Sequence, residues 1–209
     1  MLLRFLTGDV TAFQLLAWVV GIIVAITVHE FAHALAAYRC GDDTAKRQGR
    51  LSLDPLVHYD LIGTTMILIG GMGWGKPVPV DPRKMRNPRW DEVKVSFAGP
   101  ASNLLVVTLL VFVDRHFRPP WTPWLPLANM VVQVNLMLAF FNLIPIYPLD
   151  GSHILAGLLP AKQASKYQYT MGRYGFIVLI GLVFLLPGVL HLLVWVPAEL
   201  FMSLLGRVL

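Results

Sequence analysis

The sequence of 209 residues is 56% hydrophobic and 14% charged, whereas soluble domains are about 45–50% apolar and about 25% charged. This composition excludes an ordinary water-soluble domain and predicts a chain that lies largely in a membrane. The net charge of +5 does not indicate a nucleic-acid partner, because the Lys and Arg residues lie in short loops between apolar runs. The one cysteine, Cys40, excludes an intrachain disulfide.

Four apolar segments are long enough to cross a bilayer, which requires about 20 residues. In chain order they cover 10–38, 95–113, 127–146 and 174–198. The first resembles a signal peptide, but it leads directly into His29 and Glu30, so we interpret it as a retained span. Pro187 and Gly188 are expected to kink or split the last. We therefore predict an α-helical multi-pass membrane protein, with a single domain over residues 1–209.

Residues 61–90, between the first two spans, are predicted not to cross the membrane. The stretch 61–75 is uncharged, but it is short and contains five glycines. Alternating proline and valine from Pro77 to Val80 favours extended or turn structure. We expect a re-entrant or β-hairpin-like insertion at the membrane surface, with its backbone covered by protein or water.

The motif His29-Glu30-Phe31-Ala32-His33 lies at the end of the first span. Its two imidazoles are one helical turn apart, so both can reach one Zn²⁺ at about 2.0–2.1 Å. Glu30 lies beside the metal, where it could take a proton from a zinc-activated water as general base. Ionisable residues on a membrane helix mark function by default. The alternative is a pair of histidines hydrogen-bonded inside a bundle, with Glu30 reaching the interface.

A catalytic zinc usually has a third protein ligand. The candidates in or near apolar segments are Asp150, His153, Asp114, His116 and His191. Asp150 is the best of these on chemistry, because Pro145 and Pro148 break the preceding helix and turn the carboxylate into the protein. Asp150 could also be the N-cap of a short helix that begins near Ser152.

These motifs together resemble the site-2 protease family of intramembrane zinc metalloproteases. The resemblance rests on residues 29–33, on Phe97-Ala-Gly-Pro-Ala-Ser-Asn103 and on residues 142–151, with a further similar stretch at 49–64. It implies that Asp150 completes the zinc site. It also implies that Asn103 faces the site, where its amide could bind the substrate backbone or the developing oxyanion. Tyr147, where the family often has another proline, is expected to affect loop packing.

Asn142 and His153 are further candidates for contacts with the substrate or with the metal ligands. An amide on a membrane helix needs a buried partner, and His153 follows Asp150 closely enough to support a ligand. His58, His116 and His191 are interpreted as structural, since a lone histidine seldom ligates a metal.

The predicted reaction is peptide-bond hydrolysis by a zinc-activated water with Glu30 as the base, and one Zn²⁺ per chain. The resemblance implies a membrane-anchored regulatory or signal-derived substrate peptide, already shortened by another protease. Residues near Val78 and Val80 could hold it as an added strand. We expect no separate peptide-binding or nucleotide-sensing domain. The alternatives are a membrane zinc transporter, which needs polar groups along a complete path, and a non-catalytic membrane scaffold of the same fold.

The metal site also predicts the topology. His29 and His33 lie at the C-terminal end of the first span and Asp150 just beyond that of the third, so these two spans must run in the same direction. Segments 39–60, 76–94 and 147–173 then share one side, with thirteen of the 17 Lys and Arg residues. The positive-inside rule makes that side cytoplasmic. We expect an integral protein of a prokaryotic cell membrane, with lipid and a substrate peptide as partners and the active site towards the cytoplasm.

Overall fold

The computed structural model describes residues 5–70, 73–117 and 125–208. Regular structure in these ranges is helical throughout, which confirms the predicted fold class. The helices are α1 (Ala12–Cys40), α2 (Thr44–Arg47), α3 (Leu61–Gly70), α4 (Pro88–Phe117), α5 (Leu125–Asn142), α6 (Asp150–Leu158), α7 (Ala161–Leu185) and α8 (Pro187–Val208), with 3-10 helices at Pro55–His58 and Pro82–Lys84. Among the described residues, four helices are long and apolar enough to cross a membrane, namely α1, α4, α7 and α8, and α5 is shorter.

The first three predicted spans correspond to α1, α4 and α5 with shifted ends. Thr11 starts α1, because its hydroxyl oxygen accepts the Gln14 N–H at 3.2 Å and the Gln14 side chain returns to the Thr11 N–H. Helix α4 extends beyond 95–113 at both ends. The third prediction, 127–146, was too long, because α5 ends at Asn142 and the prolines at 145 and 148 cannot continue a helix.

The predicted span 174–198 consists of parts of two helices. Helix α7 ends at Leu185 and α8 begins at Pro187, so the split lies at the proline where a break was expected. Proline suits the first position of a helix, because its missing N–H would have no partner there. The segment therefore does not form one continuous helix.

The insertion at 61–90 contains the short apolar helix α3 and no strand among its described residues, so a β-hairpin is the wrong form for it. Residues 73–81 after α3 are extended without regular structure. The Lys76 N–H donates to the His58 carbonyl at 2.8 Å. The two ends of the intervening stretch thus lie side by side, which is the arrangement of a re-entrant segment.

Contacts fix the directions of the long helices. Helix α4 runs antiparallel to α1, because His33 contacts Val95 while Ala25 contacts Asn103. Helix α5 runs parallel to α1: Gly21 lies against Met130 and Val134, and Asp150 after α5 reaches the histidines late in α1.

Helix α8 follows the direction of α4. Its early residues Leu190 and Val194 pack with Ile144 and Leu149 near the histidines. At its far end the Gly206 carbonyl accepts from Arg115, close to the C-terminus of α4. Helices α1, α4, α5 and α8 therefore form a bundle of alternating direction. Helix α7 contacts the loop at the end where the histidines lie, with Gly175 against Tyr147.

Hydrogen bonds join the loops at that end of the bundle. The Arg86 N–H donates to the Cys40 carbonyl at 3.1 Å, and the Asp81 N–H donates to the Asp42 carboxylate at 2.6 Å. The Arg89 side chain donates to the Gly157 carbonyl at 2.8 Å. The three basic segments 39–60, 76–94 and 147–173 therefore occupy one end.

This arrangement predicts the outcome of cysteine labelling. In a Cys40→Ala background, Asp54→Cys and Arg86→Cys should react with a membrane-impermeant maleimide from the same face of intact vesicles. Both positions lie in loops that are tied to one end of the bundle. Labelling from opposite faces would contradict the fold.

Candidate metal centre

Three side chains from two helices meet near the end of α1. His29 Nε2 lies 3.1 Å from Asp150 Oδ2, and His33 Nε2 lies 3.4 Å from the same oxygen. His29 and His33 are buried and Asp150 is largely so. The two rings stand edge to face, with their centroids 4.6 Å apart. The spacing of one helical turn thus brings both imidazoles to one carboxylate.

A relay of two buried amides fixes the tautomer of His29. Asn135 donates to the Val131 carbonyl at 2.8 Å, so its own oxygen accepts from Asn103 at 2.9 Å. Asn103 also donates to the Ala25 carbonyl at 2.9 Å, which leaves its oxygen to accept from His29 Nδ1 at 2.7 Å. The proton of neutral His29 is therefore on Nδ1, and Nε2 presents a lone pair to Asp150.

A main-chain carbonyl orients the ring of His33, as the amide of Asn103 orients that of His29. Its Nδ1 lies 2.7 Å from the Val95 carbonyl, which can only accept, so the ring is protonated there and the lone pair is on Nε2. Gly99 on α4 lets both rings lie against that helix. A Cβ at this position would overlap the His33 ring and lie 2.7 Å from His29 Cε1. The close approach of α4 to the histidines thus requires glycine.

Asp150 occupies the first position of α6, after the turn that follows α5. The N-cap is Leu149, and Asp150 makes no capping bond, so the capping alternative is wrong and the carboxylate faces the histidines. Gly151 permits the turn, because a Cβ there would overlap the Leu143 carbonyl oxygen and lie 2.6 Å from that of Ile144. Tyr147 packs against Gly175 of α7, and the centroid of its ring lies 6.4 Å from that of His153.

The donor atoms fit zinc. Ligands at about 2.0–2.1 Å in a tetrahedral site are about 3.3 Å apart, close to the two distances from Asp150 Oδ2. That oxygen is buried and receives no hydrogen bond from the described residues. When both imidazoles are neutral, a buried carboxylate oxygen that faces their lone pairs needs a cation such as a bound metal ion. Among the described residues, His29, His33 and Asp150 are the group that could hold a metal ion.

Glu30 points to a different neighbour. Its Oε2 accepts the Val78 N–H at 3.0 Å, from the extended segment 73–81. This is the hydrogen bond that Glu30 makes within the described part of the chain, so its other oxygen stays available. The glutamate is partly exposed and lines the same cavity as the histidines.

The cavity has a volume of about 1010 Å³ and combines polar groups at one end with apolar walls. Its walls include Ile22, Ile26, Ile67, Val78, Val80, Met137, Phe141, Leu190, Val194 and Trp195. Asn142 and His153 also line it. Asn142 donates to the Leu138 carbonyl of its own helix at 3.0 Å, and His153 Nδ1 lies 2.9 Å from a Glu92 carboxylate oxygen.

The structure places Asn103 behind His29 and not in the cavity. It is fully buried, and both of its amide hydrogens are engaged by protein oxygens. It is therefore placed to orient His29 and not to contact a substrate. Asn142 and His153, in contrast, are open to the cavity.

Sequence reasoning missed several residues of this site. Asn135 is a fully buried amide in a predicted span, and that position alone was a usable signal. Glu92 and His191 also line the cavity, and the structural interpretation of His191 stays a prediction. The Val95 carbonyl carries no sequence signal, because any residue supplies one.

Comparisons with known proteins agree with this geometry. Residues 17–117 and 120–186 match the family model described as "Peptidase family M50". "Putative zinc metalloprotease YwhC" of Bacillus subtilis is 42% identical over 170 residues, which cover 78% of this chain and 77% of that protein. "Zinc metalloprotease MJ0392" of Methanocaldococcus jannaschii is 25% identical over 175 residues, 82% of this chain and 42% of that protein.

A mycobacterial relative extends beyond the matched region. "Putative zinc metalloprotease Rip2" of Mycolicibacterium smegmatis is 34% identical over 166 residues, 69% of this chain and 61% of that protein. No solved structure matches the chain. The names of the relatives and the donor set agree on zinc as the cofactor.

Gly99→Ala should weaken zinc binding. The added methyl group cannot coexist with the His33 ring in its present position, and losses of about 10- to 100-fold follow when the support of a ligand is disturbed. Zinc affinity of the purified protein measures the effect. Gly172→Ala is the matched control, since no atom lies within 4 Å of its added Cβ. Equal affinity in both variants would contradict the close packing.

Asp150→Ala should lose zinc. Two imidazoles bind zinc more weakly than three protein ligands, and the buried carboxylate that faces them is then gone. Zinc content after dialysis, measured by mass spectrometry against the wild type, tests this. Wild-type zinc content would mean that another residue, such as His153, completes the site.

Proposed function

The chain belongs to peptidase family M50, the site-2 protease family, and we propose that it is an intramembrane zinc metalloprotease that hydrolyses peptide bonds of membrane-anchored substrates. The observation that supports this most is the convergence of His29, His33 and Asp150 beside Glu30. They meet in a cavity of about 1010 Å³ between helices long and apolar enough to cross a membrane. A metalloprotease needs this combination of metal ligands, base and cleft.

In this proposal His29 and His33 bind zinc through Nε2 and Asp150 binds through Oδ2. Zinc, when bound, supplies a Lewis acid that polarises the scissile carbonyl and acidifies a water. Asn103 and the Val95 carbonyl hold the two rings in the tautomer that presents Nε2. These contacts fix ring orientation before any substrate arrives, which is the usual function of such support.

Glu30 is the general base. Its Oε2 is held by the Val78 N–H, so its other oxygen can accept the proton of the attacking water. The same carboxyl group then gives that proton to the leaving amine nitrogen, as the cleavage of an amide requires. No residue of the chain forms a covalent intermediate.

The extended segment 73–81 is placed to hold a substrate peptide that has unwound locally. Val78 and Val80 line the cavity, and an added strand could pair with this segment. Pro77 and Pro79 have no N–H, and the Val78 N–H is engaged by Glu30. Over residues 77–80 a substrate strand would therefore donate mainly to carbonyls, and Val80 offers the donor that remains in that stretch. Asn142 and His153 line the same cavity, and in this proposal they contact the substrate backbone.

The active site is proposed to face the cytoplasm of a prokaryotic cell. The end of the bundle that holds the metal site carries thirteen of the 17 Lys and Arg residues, which favours the cytoplasmic side. The substrate is proposed to be a membrane-anchored regulatory or signal-derived peptide already shortened by another protease.

Glu30→Gln should reduce cleavage of a membrane-anchored reporter to about 1% of wild type or less, since a general base contributes about 10²–10⁴-fold. Zinc content should stay at one per chain, because the substitution leaves the three ligands in place. A transporter or a scaffold has no such dependence on Glu30. Wild-type cleavage by Glu30→Gln would refute the mechanism, and absence of cleavage by the wild type would refute the function.

A further inference from the structure

Arg50 is a buried charge outside the metal site. The residue is 5% exposed, and a buried arginine is unusual unless its charge is paired. Its Nη2 donates to the Lys76 carbonyl. Its Nε is buried and has no hydrogen-bond partner among the described residues. The side chain is thus held in place at an energetic cost that needs an explanation.

The Lys76 peptide is fixed on both of its polar groups. Its carbonyl accepts from Arg50, and its N–H donates to the His58 carbonyl at 2.8 Å. His58 itself is buried, and its Nε2 lies 2.8 Å from the Ser52 carbonyl. The 50–58 loop therefore holds the extended segment by two hydrogen bonds to Lys76.

Pro77 and Val78 connect Lys76 to the hydrogen bond with Glu30. Pro77 follows Lys76 directly, and its ring fixes φ near −65°. Val78 comes next, and its N–H donates to Glu30 Oε2 at 3.0 Å. Because Pro77 is stiff, a movement of the Lys76 backbone would also move the Val78 N–H. The hydrogen bonds that hold Lys76 therefore determine where the Val78 N–H points.

We propose that Arg50 is a positioning residue for Glu30, which it orients by anchoring Lys76 and through it the Val78 N–H. The proposal rests on the proposed function, in which Glu30 is the base. Burial lowers the pKa of the Arg50 guanidinium, and the negative charge of Glu30 opposes that shift. Arginine remains protonated in proteins, so Arg50 also places a positive charge near the carboxylate.

The activity test compares Arg50→Met and Arg50→Lys with Arg83→Met, a matched control that removes an 89% exposed arginine just beyond the extended segment. Arg50→Met should lower kcat by about 10- to 100-fold, with KM within about twofold and zinc retained. Arg50→Lys, which keeps the charge and a donor, should recover part of kcat. Arg83→Met should match the wild type.

A double-mutant cycle tests the route. Val78→Pro removes the donor to Glu30, and the residue already precedes a proline, which favours extended backbone. It should lower kcat as Arg50→Met does. The double variant should be no slower than the slower single variant, because both changes break one path. Losses that multiply would show that Arg50 acts independently of Val78 and would overturn the proposal.

Hydrogen exchange gives a readout without catalysis. Residues 76–81 contain amides only at Lys76, Val78, Val80 and Asp81, since 77 and 79 are prolines. Arg50→Met should accelerate exchange at Lys76 and Val78 by about tenfold or more, and Arg83→Met should not. Wild-type exchange would overturn the proposal, and it would do so whether or not the wild type cleaves a reporter. If Arg50→Met does not fold, the other two variants test the proposal. It would be overturned if Arg50→Lys showed both the exchange rates and the kcat of the wild type and Val78→Pro also kept the wild-type kcat.

Discussion

Three lone pairs that face one another inside an apolar bundle are the constraint on which the structure depends. Nε2 of His29 and Nε2 of His33 lie 3.1 and 3.4 Å from Asp150 Oδ2, and the proton of each neutral ring is on Nδ1, which faces a protein oxygen. With both rings neutral and no shared cation, such an arrangement is repulsive, and burial strengthens the repulsion. The free energy of zinc binding is therefore coupled to the packing of α1, α4 and α6: each stabilises the other.

Polar contacts between the helices maintain this arrangement. In a membrane, close approach through small residues and interhelical hydrogen bonds take the place of the hydrophobic effect. Gly99 permits the approach of α4 to the histidines, and Asn103 with Asn135 joins α1, α4 and α5 at one level. Every polar atom used in this relay has a partner, so the network specifies one register of the three helices.

The sequence predicted what depends on local spacing. The positions of His29 and His33 follow from the helical repeat, and the break before Asp150 follows from two prolines. The ends of the spans were less certain, because apolar runs do not define where α5 stops or whether α7 and α8 are one helix. The roles of Gly99, Asn135 and Arg50 arise from contacts between residues distant in sequence, and periodicity alone carries no information about them.

Successive residues on an α-helix differ by about 100° in direction, and α1 uses this to separate its two tasks. His29 and His33 face α4, which orients both rings, while Glu30 faces the extended segment 73–81. The proposed metal ligands and the proposed base thus depend on different supports. The Val78 N–H can reach Glu30 only if the insertion returns to the end of the bundle from which it left. A crossing at 61–75 would carry Val78 away from Glu30, so this contact favours the predicted re-entrant course of the insertion.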